Sequence, residues 1–264
     1  MSGIGYHSHA PLLREAGHLG MNDVQLLTPL ASIDFAETAG ESPGVRASLA
    51  AWWKQFSTDK PSLFNGPVAA CRHCELSPSG EIRIAWYKTD YAHYLQRVAV
   101  SPITTPARAI FCSVALRAAS GSLLVGRMAG NTSSPNRLQL PGGNVTVGRT
   151  GLLSTESCAE EACREFREEI GIELRPDQLT LWRLKVGGRS DDVGIIFLCE
   201  PDLSEHEIRV AFDLHLTAVR QAGMYSEFTE LLFVDTNYFA GATAHEWVDY
   251  LPVVACELER SPVE

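Results

Sequence analysis

The chain has 264 residues, 45% of them hydrophobic, enough to bury a sizeable core as one large domain or as a domain with an extension. Its formal net charge of −10 argues against general nucleic-acid binding, which needs clustered Lys and Arg to neutralise phosphates. An odd count of 7 cysteines does not resemble a secreted disulfide framework, and no apolar run reaches the roughly 18 residues of a membrane span. The first residues show neither a basic region nor an apolar core, so no signal peptide is expected and a reduced, cytoplasmic protein is the expectation.

Within residues 1–60, His7, His9 and His18 lack a tight ligand spacing and read as solvent or packing residues. Across 46–56, Leu49, Trp52, Trp53 and Phe56 recur at helical spacing and predict a helix with an apolar face. Strand-like runs at 68–76 and 81–86 flank Ser77-Pro78-Ser79-Gly80, a hairpin signal. The first run contains Cys71-Arg72-His73-Cys74. A structural zinc site needs about four ligands and no second such pair follows, so two buried strand cysteines are expected.

Beyond 106 the pattern becomes regular. Apolar runs at 109–117 and 122–127, joined by 118–121, predict a second hairpin entering the main sheet. A further apolar run, 138–140, leads into Pro141-Gly142-Gly143, where glycines let the backbone turn tightly. Residues 156–172 combine an apolar stripe (Ala159, Ala162, Cys163, Phe166, Ile170) with a dense acidic face. Ser157 with Glu160 reads as the capping box that starts this helix, and Gly171 as its stop. Glu165, Glu168 and Glu169, at i, i+3 and i+4, share one patch and repel unless a cation joins them. Mg²⁺ is usually held by one or two such carboxylates together with substrate phosphates and water.

Strands are predicted at 178–186 and 193–199, around a loop whose Asp191 and Asp192 read as turn acids. Ser204 and Glu207 open another capped helix, which runs to about Ala222 with Gly223 as its stop and His215 on the packed side. An acidic segment, 225–230, brings Glu227 and Glu230 to the start of a strand at 231–234, and a last helix is predicted over 243–250.

Gly143, Glu156 and the run Arg164-Glu165-Phe166-Arg167-Glu168-Glu169-Ile170-Gly171-Ile172 resemble the Nudix box, G-x5-E-x7-R-E-U-x-E-E-x-G-U, with U a bulky apolar residue. Spacing matches from Glu156 onward, with Phe166 the loose fit. Gly143 stands too far ahead of Glu156 for the pattern, so 149–155 reads as an insertion; the alternative alignment puts Arg149 at the first glutamate position. Leu63-Phe64-Asn65-Gly66, Thr89-Asp90-Tyr91 and the 225–230 segment resemble parts of Nudix proteins related to UDP-glucose diphosphatases.

The resemblance implies an α/β fold, a Nudix-type α/β/α sandwich with a mixed sheet over 107–264, after an N-terminal α+β extension over 1–106. It implies Mg²⁺ or Mn²⁺ held by Glu165, Glu168, Glu169 and the carbonyl of Gly143. Glu168, or failing it Glu227 or Glu230, would be the general base, and Arg164 would pair with Glu156. The implied reaction is hydrolysis of a nucleoside diphosphate linked to a moiety X, giving a nucleoside monophosphate and X-phosphate. A UDP-sugar stands ahead of ADP-ribose and nucleoside triphosphates as substrate. The partner is then this small molecule, with neither nucleic acid nor membrane, and a homodimer remains open. A non-catalytic nucleotide-binding regulator on the same fold is the alternative of another class; the full set of box glutamates speaks against it. An isomerase of the isopentenyl diphosphate type would need a catalytic Cys and Glu in contexts absent from this sequence.

Overall fold

A computed structural model of the chain describes residues 24–29, 32–58, 64–77, 79–99, 108–130, 132, 134–147, 152–189, 191–240 and 246–261. His7, His9, His18, Leu63 and Arg149 lie outside the described residues. In chain order, β1 (Gln25–Leu27), β2 (Ile33–Glu37) and α1 (Pro43–Phe56) precede β3 (Pro67–Leu76), β4 (Ile82–Asp90) and α2 (Tyr91–Ala99). Then come β5 (Arg108–Leu116), β6 (Leu123–Met128), β7 (Leu138–Gln139), β8 (Gly142–Asn144) and α3 (Thr155–Ile170). After a 3-10 turn at Pro176–Gln178 follow β9 (Thr180–Val186), β10 (Val193–Cys199), α4 (Glu205–Gln221), β11 (Phe228–Val234), α5 (Thr236–Ala240) and α6 (Leu251–Arg260).

The main sheet runs β1-β9-β10-β5-β3-β4-β2, with β8 also on β5, and a smaller sheet runs β11-β6-β7. Pairing is mixed: β5 with β10 and β2 with β4 are parallel, the other ladders antiparallel. Alternation along β5 sends Ile110, Cys112, Val114 and Leu116 into one core and Phe111 and Ala115 into another. The first core takes Ala159, Ala162, Cys163, Phe166 and Ile170 of α3; the second takes Leu251, Val254, Ala255 and Leu258 of α6. The mixed α/β sandwich follows, since a sheet apolar on both faces must be covered twice. Full burial of a side chain such as Phe166 contributes about 1.5–3 kcal/mol.

The hairpin β3–β4 forms as the sequence predicts, closed by Ser77 N–H donating to the Glu81 carbonyl at 2.8 Å. Cys71 is buried and Cys74 half-buried; a bulge lies between Cys71 and His73, and His73 turns to Glu75. Burial pushes the Cys71 thiol up to about 12 and that of Cys74 to about 11, so both behave as packing residues. The predicted hairpin of β5 with β6 is different. The turn closes, with Gly121 N–H on the Ala118 carbonyl at 2.8 Å, but only an isolated bridge, Arg117 with Leu123, joins the strands. β10 occupies one edge of β5, and β3 and β8 occupy the other, so β6 pairs with β11 and β7 in the second sheet.

Two boundaries move, and one is as predicted. The strand expected from 178 begins at Thr180, because Pro176 turns the chain into 3-10 geometry. α4 starts on the predicted Ser204–Glu207 capping box. The last helix is α6, which begins at Leu251 with Pro252 in its first turn, whereas the sequence reading placed a helix over 243–250; residues 241–245 are outside the described set.

Candidate active site

α3 is fixed at both ends. Its N-cap is Ser154, whose hydroxyl accepts from Ser157 N–H at 3.1 Å while the Ser157 hydroxyl accepts from Ser154 N–H at 2.9 Å. The reciprocal box therefore uses Ser154 and Ser157, not the expected Ser157 and Glu160, and the helix reaches back into the stretch read as an insertion. The Thr155 hydroxyl also accepts from Ile33 N–H at 3.2 Å, tying the helix start to β2. At the other end Gly171 takes a left-handed conformation, φ 82°, and donates to the Arg167 carbonyl, as predicted. His215 of α4 packs directly over that glycine, where a side chain would collide with it.

This frame presents four carboxylates to one place. Glu169 is 2% exposed; one of its oxygens accepts from Gly142 N–H at 2.7 Å, and the other, Oε1, is buried without a partner. Glu165 lies so close to Gly143 that a Cβ there would come within 2.5 Å of its carboxylate, which explains the second glycine of the turn. Glu168 stands on the exposed rim. Glu227, from the segment before β11, joins them: its charge acts on both Glu165 and Glu169.

The energetics follow from this crowding. Burial, then repulsion from Glu227 and Glu165, holds the Glu169 carboxyl well above the usual range, and the Gly142 hydrogen bond offsets only part. Burial pushes Glu165 up to about 7 despite the Arg164 charge beside it. Glu227, although exposed as a residue, is raised by partial desolvation of its carboxyl and by the Glu168 charge. Among the described residues these four acids thus share one cation, Arg164.

Arg164 pairs with Glu161 through Nε and Nη2, both at 2.9 Å, with Glu168 through Nη1 at 2.6 Å, and with Glu165. Its hydrogen bonding to Glu161 raises its own pKa further. Glu161 in turn holds the loop after β8, accepting from the Thr146 hydroxyl at 2.5 Å and from Thr146 N–H at 3.3 Å. The expected partner, Glu156, is exposed in the first turn of α3, where its charge suits the helix dipole, and among the described residues Arg164 is not paired with it. Sequence reasoning missed Glu161; its i, i+3 spacing to Arg164 was the available signal.

Other candidates are placed elsewhere. Glu230 pairs with Arg127 across the β11–β6 ladder at 2.8 Å and is not brought into the cluster. Asp191 pairs with Arg108 at 3.6 Å. Asp192 is buried, not the exposed turn acid expected, and its carbonyl accepts from the buried Lys185 Nζ at 3.0 Å. Gly143 is paired with Cys112 across β8 and β5, and its carbonyl accepts the Cys112 thiol at 3.9 Å. Tyr250, also missed, is buried just ahead of α6 and hydrogen-bonds with Ser113 and the Leu140 backbone behind the glycine turn.

Among the described residues no three His, Cys, Asp or Glu side chains already stand in an arrangement that would hold a metal ion. The donor chemistry nevertheless fits a hard divalent cation: an orphaned buried oxygen on Glu169, a glycine cradle against Glu165, and mutually repelling carboxylates.

No family model and no curated protein matches the chain. Solved structures that it resembles include a MutT protein from Methanosarcina mazei, at 18% identity and TM-score 0.38, covering 58% of this chain and 94% of that one. A Nudix hydrolase from M. smegmatis shows 16% identity and TM-score 0.37, over 60% and 89% of the two chains. The Nudix domain of Shewanella oneidensis NrtR, complexed with ADP-ribose, shows 13% identity and TM-score 0.38, over 64% and 96%.

Proposed function

We propose that the protein is a Nudix hydrolase that splits the diphosphate of a nucleoside diphosphate linked to X, giving a nucleoside monophosphate and X-phosphate. The observation that carries this reading is the meeting of Glu165, Glu168, Glu169 and Glu227 around Arg164, with Glu169 Oε1 buried and unpartnered. Glu169, Glu165, Glu168 and the Gly143 carbonyl would hold Mg²⁺ or Mn²⁺. Such a cation supplies positive charge that polarises a phosphoryl group.

The chain's own residues do the rest. Arg164 keeps Glu165 and Glu168 aligned along α3, and Glu161 binds that guanidinium to the loop after β8. Glu227 and Glu168 are the groups placed to take a proton from an attacking water, since both face the cluster; Glu230 is committed to Arg127. We put Glu227 first, because it reaches the cluster from a separate element, the segment before β11, and the Glu168 charge raises its carboxyl.

UDP-sugars stand first among substrates on the sequence segments named above. Two of those segments meet in the structure: the Asn65 side chain accepts from Ala92 N–H at 2.7 Å and the Gly66 carbonyl from Tyr91 N–H at 2.9 Å, capping α2. The test is a Mg²⁺-dependent panel of UDP-sugars, ADP-ribose and nucleoside triphosphates in ¹⁸O-water, with products resolved by mass. A nucleoside monophosphate with X-phosphate, one of them carrying the label, is the expected result. Tight binding with no turnover across the panel would favour the regulator.

A further inference from the structure

A groove of about 540 Å³ lies between the C-terminal half of α4 and the segment leading into β11, lined by Leu216, Val219, Arg220, Met224, Tyr225 and Ser226 among others. That volume falls within the usual range for a small-molecule site, roughly 300–1,000 Å³. Tyr225 is 85% exposed and Met224 60%, an unusual outlay of apolar surface. Ser226 has a buried hydroxyl with no hydrogen-bond partner, a cost that a bound polar group would relieve.

The groove adjoins the acidic cluster along the chain. Ser226 and Phe228 line it and flank Glu227 in sequence, and Ala129, also in its wall, donates its N–H to the Glu227 carbonyl at 2.7 Å. Glu227 thus links two residues of the groove wall along the chain, while its side chain feels Glu168 and Arg164. In a chain of net charge −10, Arg220 supplies a cation in that wall suited to a phosphate-bearing ligand.

We infer that this groove is the nucleoside subsite: the base stacks on Tyr225, the Ser226 hydroxyl hydrogen-bonds to base or ribose, and the diphosphate passes over Glu227 to the carboxylates. The inference rests on the proposed hydrolase reading and assigns where its substrate's nucleoside is held. Stacking of a base on an aromatic side chain suits any base, so Tyr225 provides affinity and Ser226 discrimination.

The test titrates adenosine and uridine 5′-monophosphate into the full chain in EDTA, followed by calorimetry and by amide shifts of residues 216–229. Saturable binding is expected, weakened about tenfold in Tyr225→Ala, retained in Tyr225→Phe and unchanged in Leu214→Ser, an exposed α4 residue outside the groove. Binding that ignores Tyr225→Ala and Ser226→Val overturns the inference, as does hydrolysis of the diphosphate panel with no monophosphate effect in these residues. If Tyr225→Ala instead dissociates a dimer and leaves nucleotide binding intact, the groove is a contact between copies and the inference fails. Monophosphate binding at the groove without turnover of any panel member would support the subsite and overturn the hydrolase reading, so the two failures are distinct.

Discussion

Glu169 and Glu41 are both buried carboxylates, and their surroundings are opposite. Glu41 meets His93 Nδ1 at 2.7 Å, and Thr89 and Tyr87 also hydrogen-bond within the same group. Burial pushes its carboxyl up, but hydrogen bonds from His93 and Thr89 more than offset this and hold it below the ordinary value. Glu169 has one backbone N–H, an orphaned oxygen and acidic neighbours, and its carboxyl rises. Burial alone therefore does not mark a functional acid. A deficit of positive partners among the described residues does, because mutually repelling carboxylates call for a compensating charge.

The strongest break of this contrast is Glu169→Gln. Turnover should fall at least about 10³-fold, while the cation-free protein keeps or raises its Tm because a repelled charge has been removed; undiminished Mg²⁺-dependent turnover in this variant contradicts the assignment. Next, Glu227→Gln should cost about 10²-fold in kcat, as loss of a general base does, whereas Glu230→Gln should change it less than about twofold. Steady-state kinetics on the same substrate compares the two. Saturating Mg²⁺, at about 100 times its Kd, should stabilise the wild type by about 2.7 kcal/mol, read as a rise in Tm that Glu169→Gln loses.

Glu41→Ala should act on stability instead, by about 2 kcal/mol, because His93 and Tyr87 lose a buried partner. The folded carboxyl lies below the ordinary 4.5, so its contribution is complete above that pH and is lost as the pH falls through the folded value. Denaturant titrations should show wild type and Glu41→Ala converging under acid. The smallest effect is expected for stability in Glu230→Gln, under about 1 kcal/mol, since the Glu230 side chain of the pair with Arg127 is 54% exposed.

The acidic helix was legible because its signals are local: a stripe at helical period, a glycine stop and carboxylates three and four residues apart. The α4 capping box was legible for the same reason. What stayed hidden depends on residues distant in sequence. Glu161 acquires its role from Thr146 on another element, Glu230 loses its role to Arg127 on a neighbouring strand, and β6 leaves β5 because other strands had filled both edges. The start of α3 was misplaced by three residues because Ser154 and Ser157 are chemically equivalent caps and only tertiary contacts at Thr155 choose between them.

The two-ended anchoring of α3 has a kinetic consequence. Ser154 and Ile33 hold one terminus, and Gly171 under His215 holds the other, so the helix has no frayed end from which to open by itself. Its central amides should exchange with solvent only when the surrounding domain opens. Heat inactivation and global unfolding would then share one midpoint, and no partially opened, inactive form would accumulate below it.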